Sequence, residues 1–235
     1  MFVGHYGVGF ALKRLDHALS LGLLFLAIQF SDILWPIFVL LGIEKFSVVP
    51  HFMPTSSFVF QYYPFSHSLV AALLWSALVF LAVRFIPGIK GNKILAGAVI
   101  ATAVFSHYIL DFIVHAPDLP LAGGNSAKIG LGLWNHYWLS ILLEMVILFG
   151  GLWIYLRTTR GRSFWSKNGP VILAIFLVVM QITSTLSAPP NKSGMIAIMG
   201  LATNLIIAAL AFLIDRKRIP VGVRIVEERP IVVKK

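Results

Sequence analysis

Six long apolar runs constrain this chain more than any other feature of it. They cover residues 18–43, 65–83, 94–114, 131–156, 170–186 and 194–214. A helix that crosses a bilayer needs about 20 predominantly apolar residues, and backbone in hydrocarbon must satisfy its own amides within helices or closed barrels. The expected fold is therefore all-α: a polytopic integral membrane helical bundle of about six transmembrane helices. It forms a single transmembrane domain over 1–215, followed by a basic cytoplasmic tail at 216–235. The fifth run is the weakest, interrupted by Gln181, Thr183, Ser184, Thr185 and Ser187. Residues 1–12 are apolar but too short to span, which predicts a half-spanning or interfacial N-terminal helix. The first long run far exceeds the apolar core of a signal peptide, about 7–15 residues, and is expected to stay as an uncleaved anchor.

Composition excludes the main alternatives. The chain is 58% hydrophobic and 12% charged, whereas an average soluble domain is about a quarter charged. A soluble enzyme, a disordered tail and a disulfide-stapled secreted domain are ruled out. With no cysteine, so are thiol nucleophiles, zinc–thiolate sites and iron–sulfur clusters. The net charge of +10 would suggest nucleic acid in a soluble protein. Here it sorts by side. With six spans, sixteen of the nineteen basic residues fall on one side, and only Lys45, Lys128 and Lys192 on the other. The basic side faces the cytoplasm, so both termini are expected there, with no nucleic-acid partner. After Asp215 the tail alternates basic and β-branched residues, suiting a short strand or a solvated positive anchor.

Three of nine acidic residues, Asp32, Asp111 and Glu144, fall inside these runs. Each costs about 2.5–3.5 kcal/mol on insertion scales, and such residues face the bundle interior and mark a pathway or a site. No lysine or arginine lies mid-run to pair with them; the available partners are histidines. His107 and Asp111 are four residues apart, on one helical face. His115 continues that face, and Asp118 follows in the next loop. Such a pair can ligate a metal, relay a proton or form a structural hydrogen bond. His67 sits at the mouth of the second run. Asp32 precedes Pro36, which is expected to loosen the helix around the acid. His5 lies in the N-terminal stretch, where a half-spanning helix rising from Lys13 would lift it about 12 Å, to the level of Asp32. His5, Asp32, His67, His107 and Asp111 together offer imidazole and carboxylate without thiolate, a set that suits zinc, manganese or iron. Glu144 is open to several roles: orienting a ligand imidazole, carrying a proton, or pairing with Asn204 or Gln181. Gly150-Gly151, with Pro36, is a place where a helix could break.

The motifs His5-xxx-Gly9, Ser-Asp32-Ile-Leu-Trp-Pro, Phe-Ser-His67-Ser and Ser-His107-xxx-Asp111 resemble the bacterial membrane-bound metal-dependent hydrolases, a group distantly similar to zinc-dependent phospholipase C in its His/Asp pattern. His115-Ala-Pro-Asp118 and the stretch from Gly130 to Asn135, followed by Glu144, extend the resemblance over about residues 1–157; the runs at 170–215 lie beyond it. The resemblance implies a divalent metal, zinc foremost, held by Asp32, His67, His107 and Asp111 with His5 beside them. It departs from the pattern where His136 and Glu144 stand eight apart, so it implies no complete second metal site. It further implies a hydrolase of the bacterial inner membrane. Asp118, His115 or Glu144 would act as general base, on a lipid or lipid-linked (phospho)ester attacked by metal-activated water. Two other readings use the same residues: a proton- or cation-coupled transporter or permease, and a membrane scaffold with a structural metal.

Overall fold

Helices dominate the computed structural model, which describes residues 1–222 apart from 88, 90, 188, 189 and 191. In chain order they begin with α1 (Val3–Leu12), α2 (Leu21–Ile28) and α3 (Phe30–Leu40), followed by a hairpin of β1 (Lys45–Met53) and β2 (Ser56–Tyr62). Next come α4 (Pro64–His67), α5 (Leu69–Ala82), α6 (Lys93–Val114), the short pair β3 (Leu119–Pro120) and β4 (Lys128–Ile129), and α7 (Tyr137–Thr158). The chain closes with β5 (Thr159–Gly161), α8 (Phe164–Leu186), α9 (Ser193–Asp215) and β6 (Arg218–Pro220). Four helices, α6 to α9, are long and apolar enough to cross a membrane, and α2 with α3 makes a fifth if that bent pair is one span.

Local chemistry sets most of the boundaries. Ser20 caps α2 by accepting from the Leu23 amide, Asn92 caps α6 through the Ile94 and Leu95 amides, and Ser163 with Ser166 forms a capping box on α8; each satisfies amides that a helix start leaves bare. The run at 65–83 is divided by Ser68, whose extended backbone (φ −80°, ψ 157°) ends α4 and caps α5. What remains, Leu69–Phe85, is an apolar helix shorter than the four long ones. The run at 18–43 is likewise not one rod. Its axis turns by 55° between α2 and α3, at Gln29 (φ −95°, ψ 14°) and not at Pro36, which stays inside α3. Residues 131–136 of the fourth run lie outside α7, which starts at Tyr137.

The all-α expectation omitted the strands. In the hairpin, Phe46 pairs with Phe60 and Val48 with Phe58, and Phe46, Phe58 and Phe60 pack around Trp35 of α3 at ring separations of 4.7, 6.5 and 5.6 Å. Aromatic pairs across a two-stranded ribbon, backed by an indole, give it the apolar face an isolated hairpin lacks. β5 pairs with β6, tying the end of α9 to the α7–α8 turn; the remainder of the basic tail, 223–235, lies outside the described residues.

Helix α1 runs through the bundle, not along its surface: Val3, His5, Tyr6 and Phe10 are fully buried. Its ten residues make a rod about 15 Å long, half the hydrocarbon thickness. It meets α7 backbone to backbone, because a Cβ at Gly7 would collide with the Ile147 carbonyl and one at Gly151 with the Gly7 carbonyl. Small residues allow such approach between helices. Gly151 thus serves packing, and α7 continues unbroken through Gly150-Gly151.

Candidate metal centre

The start of α1, the first turn of α3, the one-turn helix α4 and the end of α6 bring His5, Asp32, His67, His107 and Asp111 together. His67 Nε2 lies 3.3 Å from Asp32 Oδ1 and 3.7 Å from Asp111 Oδ2. His107 Nε2 lies 3.7 and 3.1 Å from the same two oxygens. Donors bound at about 2.0–2.1 Å around a tetrahedral ion sit roughly 3.3 Å from one another, so the four His–Asp separations are of the size a shared ion requires. Two groups, Asp32–His67–His107 and His5–His107–Asp111, each have donor atoms mutually within 4.8 Å.

The outer nitrogens fix what the inner ones can do. His107 Nδ1 lies 2.7 Å from the Ile28 carbonyl, which only accepts, so Nδ1 carries a proton and Nε2 is the nitrogen that faces the carboxylates. Buried Nε2 has no hydrogen-bond partner. His67 Nδ1 lies 2.7 Å from Ser66 Oγ, and that hydroxyl donates to Glu44 Oε2 at 2.6 Å. The serine oxygen therefore accepts from His67 Nδ1–H, which leaves His67 Nε2 facing Asp32 Oδ1. Both rings thus turn Nε2 toward the two carboxylates, and with Nε2 deprotonated the four groups present their donor atoms to one cation. Outer-nitrogen hydrogen bonds to a carbonyl or carboxylate are the usual supports of metal-binding histidines. The free donors fit a divalent ion. Because His107 has one free lone pair, the two groups share that donor and do not form two independent sites.

His5 stacks on His107 with ring centroids 3.9 Å apart, its Nε2 3.2 Å from Asp111 Oδ1 and its Nδ1 buried without a partner. The Met1 amine lies 2.6 Å from the same oxygen. Glu144 is buried beside them and pairs with neither Asn204 nor Gln181. Its Oε2 accepts from the Phe2 and Gly4 amides at 3.0 and 3.2 Å, so it caps α1, where a carboxylate is favoured by the helix dipole.

His115 is not a further turn of α6. It ends the helix with extended backbone (φ −62°, ψ 145°), and its Nδ1 lies 3.0 Å from Asp118 Oδ1. The same oxygen accepts from the Tyr63 hydroxyl at 3.1 Å. Burial, reinforced by Asp118, pushes the Tyr63 phenol far above its ordinary range, so it remains a donor. Burial also lowers the His115 imidazole, against the pull of Asp118. His136 is exposed at the start of α7 and takes no part.

These groups open on a cavity of about 620 Å³. Asp32, His67, Asp111, His115 and Glu144 line one side; Phe2, Trp35, Phe58, Met180, Ile196 and Met199 supply apolar surface; and Gln181, Thr183, Ser184, Thr203 and Asn204 of α8 and α9 face it from beyond. Sequence reasoning missed Glu44, which accepts from Ser66 Oγ and from the Phe65 and Ser66 amides. It lies outside the apolar runs, so the cost of burying it could not be read from hydropathy. Ser66 was noticed only as a neighbour of His67. Comparison with family models, with curated proteins and with solved structures finds no match to this chain.

Proposed function

We propose that the chain is an integral membrane protein of the bacterial inner membrane with both termini in the cytoplasm, and that it is a metal-dependent hydrolase acting on a lipid or lipid-linked phosphoester or ester. In this reading the bent α2–α3 pair is one crossing, and α5 with the turn after it is a short sixth. The observation that carries the proposal is the convergence of two Nε2 atoms, of His67 and His107, on Asp32 and Asp111 at the wall of an amphipathic cavity. Asp32, His67, His107 and Asp111 would hold the ion, with His5 beside them. A bound zinc, manganese or iron ion supplies a water of lowered pKa and a Lewis acid for a phosphoryl or carbonyl oxygen. His115, its Nδ1 held by Asp118, takes the proton at Nε2; Tyr63 fixes Asp118. Glu144 holds the start of α1, and with it His5, against the site. The apolar wall receives the acyl or prenyl part of the substrate while its polar group faces the carboxylates.

The test uses the full chain in detergent, loaded with zinc and supplied with a fluorescent glycerophospholipid dispersed in micelles. The expected result is about one zinc per chain and zinc-dependent product release that His107→Ala abolishes while the protein stays folded. Stoichiometric zinc retained by His107→Ala, or none bound by the wild type, overturns the reading. A cation- or proton-coupled transporter is the second reading, favoured by the 55° break between α2 and α3, since transporter sites are built at interrupted helices. It predicts uptake into liposomes that Asp111→Asn removes, without lipid turnover.

A further inference from the structure

Helices α8 and α9 lie beyond the stretch that carries the His/Asp motifs, yet one of their residues reaches the site. Pro36, inside α3, has no amide hydrogen, so the carbonyl four residues earlier, that of Asp32, loses its helical donor. A bare carbonyl in a buried helix costs free energy unless another donor is found. Asn204 of α9 supplies one, with Nδ2 lying 3.3 Å from the Asp32 carbonyl oxygen. Its own Oδ1 accepts from the Tyr6 hydroxyl at 2.7 Å and from Gln29 Nε2 at 3.4 Å. These partners fix the orientation of the amide, because turning it over would set carbonyl against carbonyl at Asp32 and amide against amide at Gln29. The side chain is buried and lies on the cavity wall. It therefore joins the neighbour of His5 on α1, the residue at the α2–α3 break, and the backbone of Asp32.

We infer that Asn204 is a positioning residue for Asp32: its amide replaces the hydrogen bond that Pro36 removes and fixes the first turns of α3, so that the Asp32 carboxylate faces His67 and His107. The inference rests on the metal-site reading and adds that α9 is part of the site. It also gives Pro36 and Asn204 one joint task, done by two residues 168 positions apart in the sequence.

The joint task supplies the test. Cobalt(II) binding to the full chain in detergent is followed by visible absorption in wild type, Asn204→Ala, Pro36→Ala and the double variant. Asn204→Ala is expected to weaken cobalt affinity about ten- to a hundredfold, as loss of a support behind a ligand does, and to shift the absorption bands. Pro36→Ala restores an amide hydrogen within reach of the Asp32 carbonyl, so Asn204→Ala in that background is expected to cost less than about threefold. Glue between helices would cost the same in both backgrounds, and that outcome overturns the inference, as does wild-type affinity in Asn204→Ala. If Asn204→Ala fails to fold, Tyr6→Phe, which frees Asn204 Oδ1, takes its place with a smaller loss that Pro36→Ala again cancels; equal losses in both backgrounds overturn the inference. A wild type that binds no cobalt overturns the metal reading and this inference together. Cobalt bound by wild type, lost in Asp32→Asn and unchanged in Asn204→Ala, overturns this inference alone.

Discussion

The two ends of α1 each meet a buried polar cluster, and the clusters are built on opposite principles. Beyond its C-terminal end, Lys13 Nζ pairs with Asp215 Oδ2 at 2.7 Å and also donates to the Leu19 carbonyl. Asp215 Oδ2 accepts from the Leu21 amide at 2.9 Å, and Oδ1 from the Tyr155 hydroxyl at 2.7 Å. One cation meets one anion, and each carboxylate oxygen has a donor. At its N-terminal end two carboxylates face three imidazoles and the Met1 amine, with the Nε2 atoms of His67 and His107 turned toward the carboxylates. The first cluster is closed and fastens α1, α2, α7 and α9 together. The second is open: His107 Nε2 is buried without a hydrogen-bond partner, and the cluster borders a cavity. Buried charge by itself therefore does not mark a site; buried charge with unspent lone pairs does.

Substitutions should separate the two clusters. The largest effect is expected from Asp111→Asn, which removes stoichiometric zinc binding, measured by elemental analysis, while circular dichroism stays that of the wild type. Asp215→Ala should do the reverse. It leaves the Lys13 ammonium buried without its counter-ion, which costs about 3–5 kcal/mol and shows as a lower unfolding temperature, with zinc affinity of the surviving folded protein unchanged. Replacing the pair together, Lys13→Met with Asp215→Leu, should recover most of that loss, because a well-packed apolar pair avoids the desolvation penalty. Ser66→Ala breaks the link from Glu44 to His67 and is expected to weaken zinc about tenfold, with a stability change of about 1 kcal/mol. An unchanged zinc affinity would show that the Glu44–Ser66 pair only holds α4 in place.

The smallest effect concerns pH. His115 is buried neutral, its imidazole lowered by burial more than Asp118 raises it. Below its ordinary value, about 6.5, the unfolded chain binds a proton that the folded one refuses, so stability falls as pH drops. Histidine NMR should show His115 still neutral just below the ordinary imidazole value, about 6.5. Asp118→Asn should lower the His115 imidazole further, since it removes the largest pull toward the charged form. A charged His115 near neutral pH would place the ring in a far wetter setting than the structure gives it.

Hydropathy and spacing made much of this legible, for reasons specific to membranes. An acid in an apolar run is costly wherever it falls, so Asp32, Asp111 and Glu144 stood out, and the i, i+4 relation put His107 beside Asp111 as the structure has it. The apolar N-terminal stretch forms a short helix, and α1 brings His5 to Asp111. What escaped was whatever depends on contacts distant in sequence. Glu44 lies in a polar stretch where an acid is unremarkable, and only the fold carries it to Ser66. Asn204 was a candidate partner of Glu144, and the packing of α9 takes it to Asp32. The β1–β2 hairpin forms because its phenylalanines close on Trp35, and aromatic residues at 46–60 read equally well as interfacial belt. The bend at Gln29 left no proline or glycine at the break to signal it. Lys13 was counted among topology-setting charges, yet it is spent on Asp215 inside the bundle.

Zinc K-edge X-ray absorption on the full chain, loaded with one equivalent of zinc in detergent, tests the central claim most directly. The account predicts nitrogen and oxygen donors at about 2.0–2.1 Å, with the multiple-scattering pattern of two imidazoles that falls to one in His67→Ala. A spectrum with oxygen donors alone, unchanged by that substitution, would contradict it.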